Sequence, residues 1–404
     1  MPKLVQINVA SNCGSTGRIA EQIGGLVKAK GWESYIVHAQ RYSRPTALAD
    51  ISTSYSLAEK THYLGSLLTD GQGLFSQNAT KQLVRKLEQI KPDIVHLHNI
   101  HGSFMNFPIL FEYLKRVGVP IVWTLHDCWS FTGHCTYFDR IGCERWLSGC
   151  GKCSQKREYP QSIVDRSSWN YELKKKIFTS SSNLTMVPVS DWLHKLVAQS
   201  FMGKYPIKTI HNGIDLDKFK HSNSDFRQRY GIAGKFVVLG VADGFGRRKG
   251  LNDFNELSER LGNDVRIVMV GLNNDDKKQI SPGIIGMGRT ANQQELIDIY
   301  SAADVFINPT YEDNFPTTNI EALACGTPVI TYRTGGSPEA VDEYTGIVVD
   351  KGDVEGMMTA ILKIKELGRN HYSKHCRERA ERCFNKDDRF EEYVRLYESL
   401  IERR

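Results

Sequence analysis

No apolar run in this 404-residue chain reaches the roughly 18 residues that a membrane-spanning helix requires, so the sequence offers no membrane span. Its start, MPKLVQINVA, has no long apolar region followed by a small-residue cleavage site, and it reads as a first strand instead of a signal peptide. A cytoplasmic location is the expectation. There is no concentrated basic arm and no RNP-type aromatic motif, which argues against a nucleic-acid module. The net charge of +6 is spread along the chain and suits anionic substrates or the inner face of a membrane. There are nine cysteines, an odd number. Four of them, Cys135, Cys143, Cys150 and Cys153, fall within 19 residues, and in a cytoplasmic chain such a cluster suggests metal before disulfide.

What is present is an alternation of buried-strand and helix patterns. A length of 404 residues accommodates two domains with separate cores, and 40% hydrophobic with 24% charged residues is globular composition. LVQINVA (Leu4–Ala10), a Gly-containing turn SNCGSTGR, a helix over Ile19–Lys30 and the strand SYIVHA (Ser34–Ala39) form a Rossmann-like opening. Gly14 and Gly17 let the backbone approach a ligand. GSTG is nevertheless not a full dinucleotide fingerprint, and no acid ends the second strand; an ordinary tight turn remains open beside the ligand-facing one. DIVHLH follows a helix stopped near Pro92 and sets His96 and His98 on one strand face. VPIVWTLHD ends in His126 and Asp127 at a strand's carboxyl edge, where doubly wound sheets bind ligands. A satisfied structural histidine is the competing reading.

Cys150-x2-Cys153 has metal-knuckle spacing. Cys135 and Cys143 would complete a four-thiolate structural zinc site, with His134 a substitute ligand; reduced free thiols are the alternative. WNYELKKKIF (Trp169–Phe178) is a basic, aromatic helix that suits either an anionic membrane surface or a solvated face. Strand patterns over Leu184–Ser190 and Ile207–Asp215 enclose the helix DWLHKLVAQS.

A second Rossmann-like half opens with KFVVLGVA and the turn DGFGRRKGLND, whose Arg247, Arg248 and Lys249 suit a diphosphate. After the strand DVRIVMVGL come Arg289 and Thr290 in a polar turn. AADVFINPT and TPVITY then read as buried strands around a short helix, TTNIEALAC, opened by Thr/Asn capping candidates and closed at Gly326. The helix N-terminus at a strand's carboxyl edge makes an anion site. Asp313 lies in the loop before it. Glu321 lies one turn inside, placed to accept two hydroxyls of a ribose. RTGGSPEAV reads as a turn into a helix, TGIVVDKGD as a last strand, Gly356–Lys365 as a helix, and Asp387–Glu402 as a long charged helix with Phe390, Tyr393, Leu396 and Leu400 on one face.

EDNFPTTNIEALACGTPVI resembles the acid-x7-acid signature of retaining GT-B glycosyltransferases of family GT4, in a subgroup with a DNFP-type loop. WTLHD, HNGID and RRKG match further family motifs in order and spacing, so the resemblance covers essentially the whole chain. It implies an α/β GT-B fold, two Rossmann-like domains facing a cleft. Residues 1–210 would form the acceptor-side domain, with 386–404 crossing back onto it, and 211–385 the nucleotide-sugar domain. HNGID would be the hinge, with Gly213 supplying backbone freedom.

The implied reaction moves a sugar from a UDP- or GDP-sugar to a hydroxyl of a glycan or lipid-linked acceptor, with retention and without a catalytic metal. It points to bacterial surface polysaccharide synthesis. By the same resemblance His126, Asp313 and Lys249 are catalytic. Gly14, Gly17, Arg248, Lys249, Arg289, Asn314, Phe315, Thr317, Thr318 and Glu321 bind donor. Peripheral contact with the inner membrane face is compatible. A sugar-nucleotide isomerase or epimerase of the same fold, or a non-catalytic nucleotide-binding subunit, are the alternatives.

Overall fold

The computed structural model describes residues 1–53 and 56–403. The chain folds as two compact units, Met1–His211 with Arg389–Arg404, and Asn212–Asp388.

The first unit runs β1 (Lys3–Ile7), α1 (Gly14–Ala29), β2 (Glu33–His38), β3 (Ala49–Ser52), α2 (Ser56–Thr69), α3 (Gln77–Ile90), β4 (Ile94–Leu97), α4 (Phe107–Val117), β5 (Ile121–Leu125), α5 (Ser167–Phe178), β6 (Leu184–Pro188) and α6 (Asp191–Gln199). Its sheet is ordered β3-β2-β1-β4-β5-β6 and every pairing is parallel. β4, β5 and β6 are buried along their whole length, as expected where helices cover both faces and strands read as continuous apolar runs. On one face Phe111, Trp123 and Phe178 pack against one another, with ring centroids 4.8–5.7 Å apart.

The second unit runs α7 (Phe226–Arg229), β7 (Phe236–Val241), α8 (Leu251–Arg260), β8 (Val265–Val270), α9 (Asn274–Lys277), β9 (Ile284–Met287), α10 (Gln293–Ala302), β10 (Val305–Asn308), α11 (Thr317–Ala324), β11 (Val329–Tyr332), β12 (Gly346–Val349), α12 (Val354–Leu367) and α13 (Asn370–Phe384). Its strand order β12-β11-β10-β7-β8-β9 repeats that of the first unit. The chain reverses direction across the sheet between β10 and β7, the place where open parallel sheets leave a crevice at their carboxyl ends. α14 (Lys386–Glu402) closes the chain. Phe390, Tyr393, Val394 and Tyr397 from it join Leu4, Ile23 and Val187 in a core cluster of the first unit, with Leu396 and Leu400 packed on its margin.

Several elements differ from the sequence expectation. α1 begins at Gly14, so the glycine turn is the first turn of the helix. Residues 207–215 are not a strand. Ile207 and Ile214 make isolated bridges to Met186 and Asn385, and Pro188, lacking an N–H, cannot return the bond it accepts from Ile210. Gly213 has no positive φ; a Cβ there would stand 2.5 Å from Lys386 Cα, so it is needed for close approach, not for backbone freedom. Ser337–Ala340 is only a 3-10 turn. The helix after Asp313, α11, is capped by Pro316 without a side-chain bond, so its threonines are first-turn residues and not caps. α13 escapes the sequence pattern because only Tyr372, Cys376, Ala380 and Phe384 are buried, in an otherwise polar stretch.

Candidate active site

At the switch point of the second unit two loops meet. The turn after β7 carries three left-handed glycines, Gly244, Gly246 and Gly250, and Gly250 has no alternative, since a Cβ would lie 2.4 Å from Pro309 O. The Asp276 carboxylate accepts from Phe245 N at 2.9 Å and Gly246 N at 3.4 Å, which pins the turn from behind. The loop after β10 is joined to this turn by Tyr311 N donating to Arg248 O at 2.9 Å and by Arg248 Nη1 donating to Glu312 O at 3.1 Å. Lys249 Nζ closes the pair of loops with an ion pair to Asp313 Oδ2. Burial pulls the Lys249 ammonium below its ordinary value and the Asp313 carboxylate opposes that pull.

The acid loop is held on three sides. Tyr311 OH and Tyr332 OH both donate to the buried Asp253 carboxylate, at 3.1 and 2.7 Å. Burial raises the Asp253 carboxyl above the usual range, and the two phenols work against it. Gly335 presses against Asp313 so closely that a Cβ would sit 1.7 Å from its carbonyl oxygen, and Gly336 N donates to Asn314 O at 3.0 Å. Phe315 is buried, with its ring 5.7 Å from that of Phe384. Beyond the loop, Asn308 and Asn319 are bonded at 2.8 Å, fixing the entry of α11. Thr317 and Thr318 are half-buried in its first turn. Glu321, one turn inside, is buried and accepts from Tyr300 OH at 3.0 Å.

Arg248, Lys249, Asp313, Asn314, Phe315, Thr317, Thr318 and Glu321 therefore converge. Arg289 stands apart, exposed and paired with Asp243 at 2.5 Å, which ties it to the turn after β7. Asp253, Asp276, Tyr300 and Gly335 were not picked out from the sequence. Of these only Gly335, in the Gly-Gly pair after β11, carries a readable signal.

In the first unit the switch point between β1 and β4 is zipped by Val9 N to Asn99 O at 2.9 Å and Asn99 N to Asn8 Oδ1 at 3.2 Å. Gly14 has φ 64°, and a Cβ on Gly17 would lie 3.2 Å from Ala10 O, so both glycines serve the tight local turn. Behind it runs a chain of imidazoles. Gln6 Nε2 donates to Ala20 O at 2.8 Å, which turns Gln6 Oε1 toward His98 Nε2 at 3.1 Å; His98 Nδ1 then faces His126 Nε2 at 3.1 Å. A neutral chain allows one assignment: His98 carries its proton on Nε2 and His126 on Nε2, leaving His126 Nδ1 an acceptor. His96, its ring centroid 3.9 Å from that of His98 and tilted by 36°, accepts from Tyr397 OH at 2.6 Å. Burial lowers all three imidazoles, His126 to about 4. Asp127 accepts from His101 at 2.7 Å; burial would raise its carboxyl, and His101 with Trp129 N–H outweighs that and holds it low.

Cys135, Cys143, Cys150 and Cys153 line a single cavity of about 240 Å³ in the first unit. Ser167 at the start of α5 lines it, and Lys174 of that helix, expected on an exposed basic face, is buried; Lys175 and Lys176 remain exposed. Among the described residues no helix is long and apolar enough to cross a membrane.

Two parallel six-stranded sheets with this repeated order define a GT-B glycosyltransferase fold. Sucrose-phosphate synthase from Thermosynechococcus elongatus superposes with a TM-score of 0.74 at 17% identity, covering 100% of both chains. HepE of Anabaena in complex with UDP-glucose does so at 0.69 and 15%, covering 98% of this chain and 99% of that one. The family models for Glycosyltransferase Family 4 and for Glycosyl transferases group 1 match residues 16–218 and 236–366. The chain belongs to Glycosyltransferase Family 4, and it is a glycosyltransferase. WcaC of Escherichia coli K12, named for colanic acid biosynthesis as a glycosyl transferase, is 26% identical over 76% of this chain and 77% of its own. A D-inositol 3-phosphate glycosyltransferase of Corynebacterium jeikeium is 30% identical over 39% of this chain and 43% of its own.

Proposed function

We propose that this glycosyltransferase transfers a sugar from a UDP-sugar to a hydroxyl of a glycan or lipid-linked acceptor, with retention of anomeric configuration, in bacterial surface polysaccharide synthesis. The observation that carries the reading is the Lys249–Asp313 pair across the switch point of the second unit, beside Arg248 and the start of α11. A diphosphate arriving there takes Lys249 from Asp313. It gains two cations and the first-turn N–H groups of α11, which stabilise the negative charge of the leaving group as the glycosidic bond breaks. Asp313, released, orients hydroxyls of the donor sugar. Glu321 holds the ribose diol, and His126 Nδ1 accepts from the sugar. The roles assigned here use no side chain as a nucleophile, and the reaction proceeds by front-face displacement in which the departing phosphate takes the acceptor's proton.

The UDP assignment draws on HepE, solved with UDP-glucose. The polysaccharide assignment draws on WcaC and on a capsular polysaccharide biosynthesis glycosyltransferase, CapM of Staphylococcus aureus, 24% identical over 54% of this chain. We place the enzyme in the cytoplasm, with Trp169, Lys175 and Lys176 offering a face for an anionic membrane.

The test is product analysis with an α-linked UDP-sugar and a panel of hydroxyl acceptors. An α-linked product that forms only with acceptor supports the proposal. A β-linked product overturns retention, and an isomeric sugar nucleotide formed without acceptor overturns transfer.

A further inference from the structure

The cysteine-lined cavity lies in a segment with little regular structure of its own, and its wall holds more unmet polar chemistry than a packing defect would. Cys135 and Cys153 both line it, and Gly133 N donates to Cys150 Sγ at 3.2 Å. Two buried nitrogen-bearing side chains, His134 and Lys174, stand near these sulfurs. His134, 2% exposed, lines the cavity; its Nδ1 is fixed by Asp70 Oδ1 at 2.5 Å while its Nε2 has no hydrogen-bond partner. Lys174 Nζ, equally buried, donates to Trp129 O at 2.8 Å and Thr132 O at 3.0 Å and lies 3.6 Å from the centre of the Trp129 ring. A buried ammonium held by neutral partners and a buried imidazole nitrogen left unpaired are each costly. Negative charge on the sulfurs nearby offsets the first of these costs.

We infer that Cys135, Cys143, Cys150 and Cys153 bind a structural zinc ion in this cavity, with His134 and Lys174 outside the ligand set and facing the thiolates. Zinc with four thiolates carries net charge −2, and soft thiolate donors in C-x2-C spacing select it. The knuckle Cys150–Cys153 turns through Gly151 at φ 157° and Lys152 at φ 48°. As the chain stands, no three candidate ligand atoms of this cavity, among the described residues, lie within 4.8 Å of one another. Tetrahedral Zn–S bonds of about 2.3 Å need sulfurs nearer than that, so binding draws the side chains inward and contracts the cavity. The site uses no residue assigned to the transfer reaction and stands whether or not that assignment holds.

The experiment is elemental analysis of the full chain, expressed without a polyhistidine tag and purified without chelator. The inference expects about one zinc per chain, released by a thiol-specific mercurial. It expects zinc to fall at least fivefold in Cys150→Ser and Cys153→Ser, and to stay at parity in His134→Gln. Because the serine variants can fail to fold, the wild-type chain is also stripped and refilled with cobalt(II). Four thiolates then give intense thiolate-to-cobalt charge-transfer absorption and tetrahedral d–d bands. Zinc or cobalt at well below a tenth of an equivalent, iron with acid-labile sulfide, or loss of metal in His134→Gln with retention in a cysteine variant would each overturn it.

Discussion

His98 Nδ1 lies 3.1 Å from His126 Nε2, and the orientation of Gln6 at the far end of the chain decides which of the two carries the proton. His126 is thereby held as a neutral imidazole with Nδ1 as its acceptor nitrogen. Gln6→Leu removes the acceptor for His98 Nε2 and frees the chain to reverse. The expected result is a fall in kcat/KM of about tenfold or more, with a stability loss of about 1–3 kcal/mol. Steady-state kinetics beside urea unfolding check both, and an unchanged kcat/KM would remove the imidazole chain from the account.

Stability should fall as the medium becomes acidic, beginning near pH 6.5. His126 and His62 titrate at about 4 in the fold because burial disfavours their charged forms, and His96 and His98 are also held low. In the unfolded chain the same groups titrate near 6.5. Between those values the unfolded state binds more protons, so the stability that is complete above about pH 6.5 is lost on descending toward 4. Each histidine contributes about 1.4 kcal/mol per pH unit. Urea unfolding at pH 7, 6 and 5 measures the slope. A midpoint independent of pH over that range would contradict the burial of neutral imidazoles.

Gly335→Ala tests the brace behind Asp313. The position combines φ 54° with a Cβ that would penetrate to 1.7 Å from Asp313 O. The backbone of the acid loop must move, so donor KM should rise at least tenfold while the far-ultraviolet spectrum stays native. A KM within twofold of wild type would show that the loop tolerates the displacement.

Glu321→Gln removes the carboxylate that accepts from Tyr300 OH at 3.0 Å and, in the proposed complex, from the ribose. Loss of a charged acceptor costs about 1.5–3 kcal/mol, so nucleotide affinity should fall by about ten- to a hundredfold. Calorimetric titration with UDP and with the deoxyribose analogue separates the roles. Equal losses for both nucleotides would place Glu321 in structural support alone.

The parts of this molecule that repeat at short range are legible in the sequence. Buried strands such as IVWTL and VFIN announce themselves as apolar runs, and Lys249, Asp313 and Glu321 sit in ordered motifs at strand ends. What escaped depends on groups distant in sequence. Asp253 reads as an ordinary acid on a helix until Tyr311 and Tyr332 are seen to converge on it across 58 and 79 residues. Lys174 stands beside two other lysines, and only the fold turns it inward. The segment after α6 reads as a strand because Ile207, Thr209 and Ile210 are β-branched, whereas the neighbouring Pro188 has no N–H to offer.

Nucleotide binding by the full chain tests the central claim most directly: UDP titrated calorimetrically into wild type and into Lys249→Ala. The account predicts measurable UDP affinity in the wild type and a loss of at least tenfold in the variant, with the fold intact by thermal unfolding. Undiminished UDP affinity in a folded Lys249→Ala chain would contradict it.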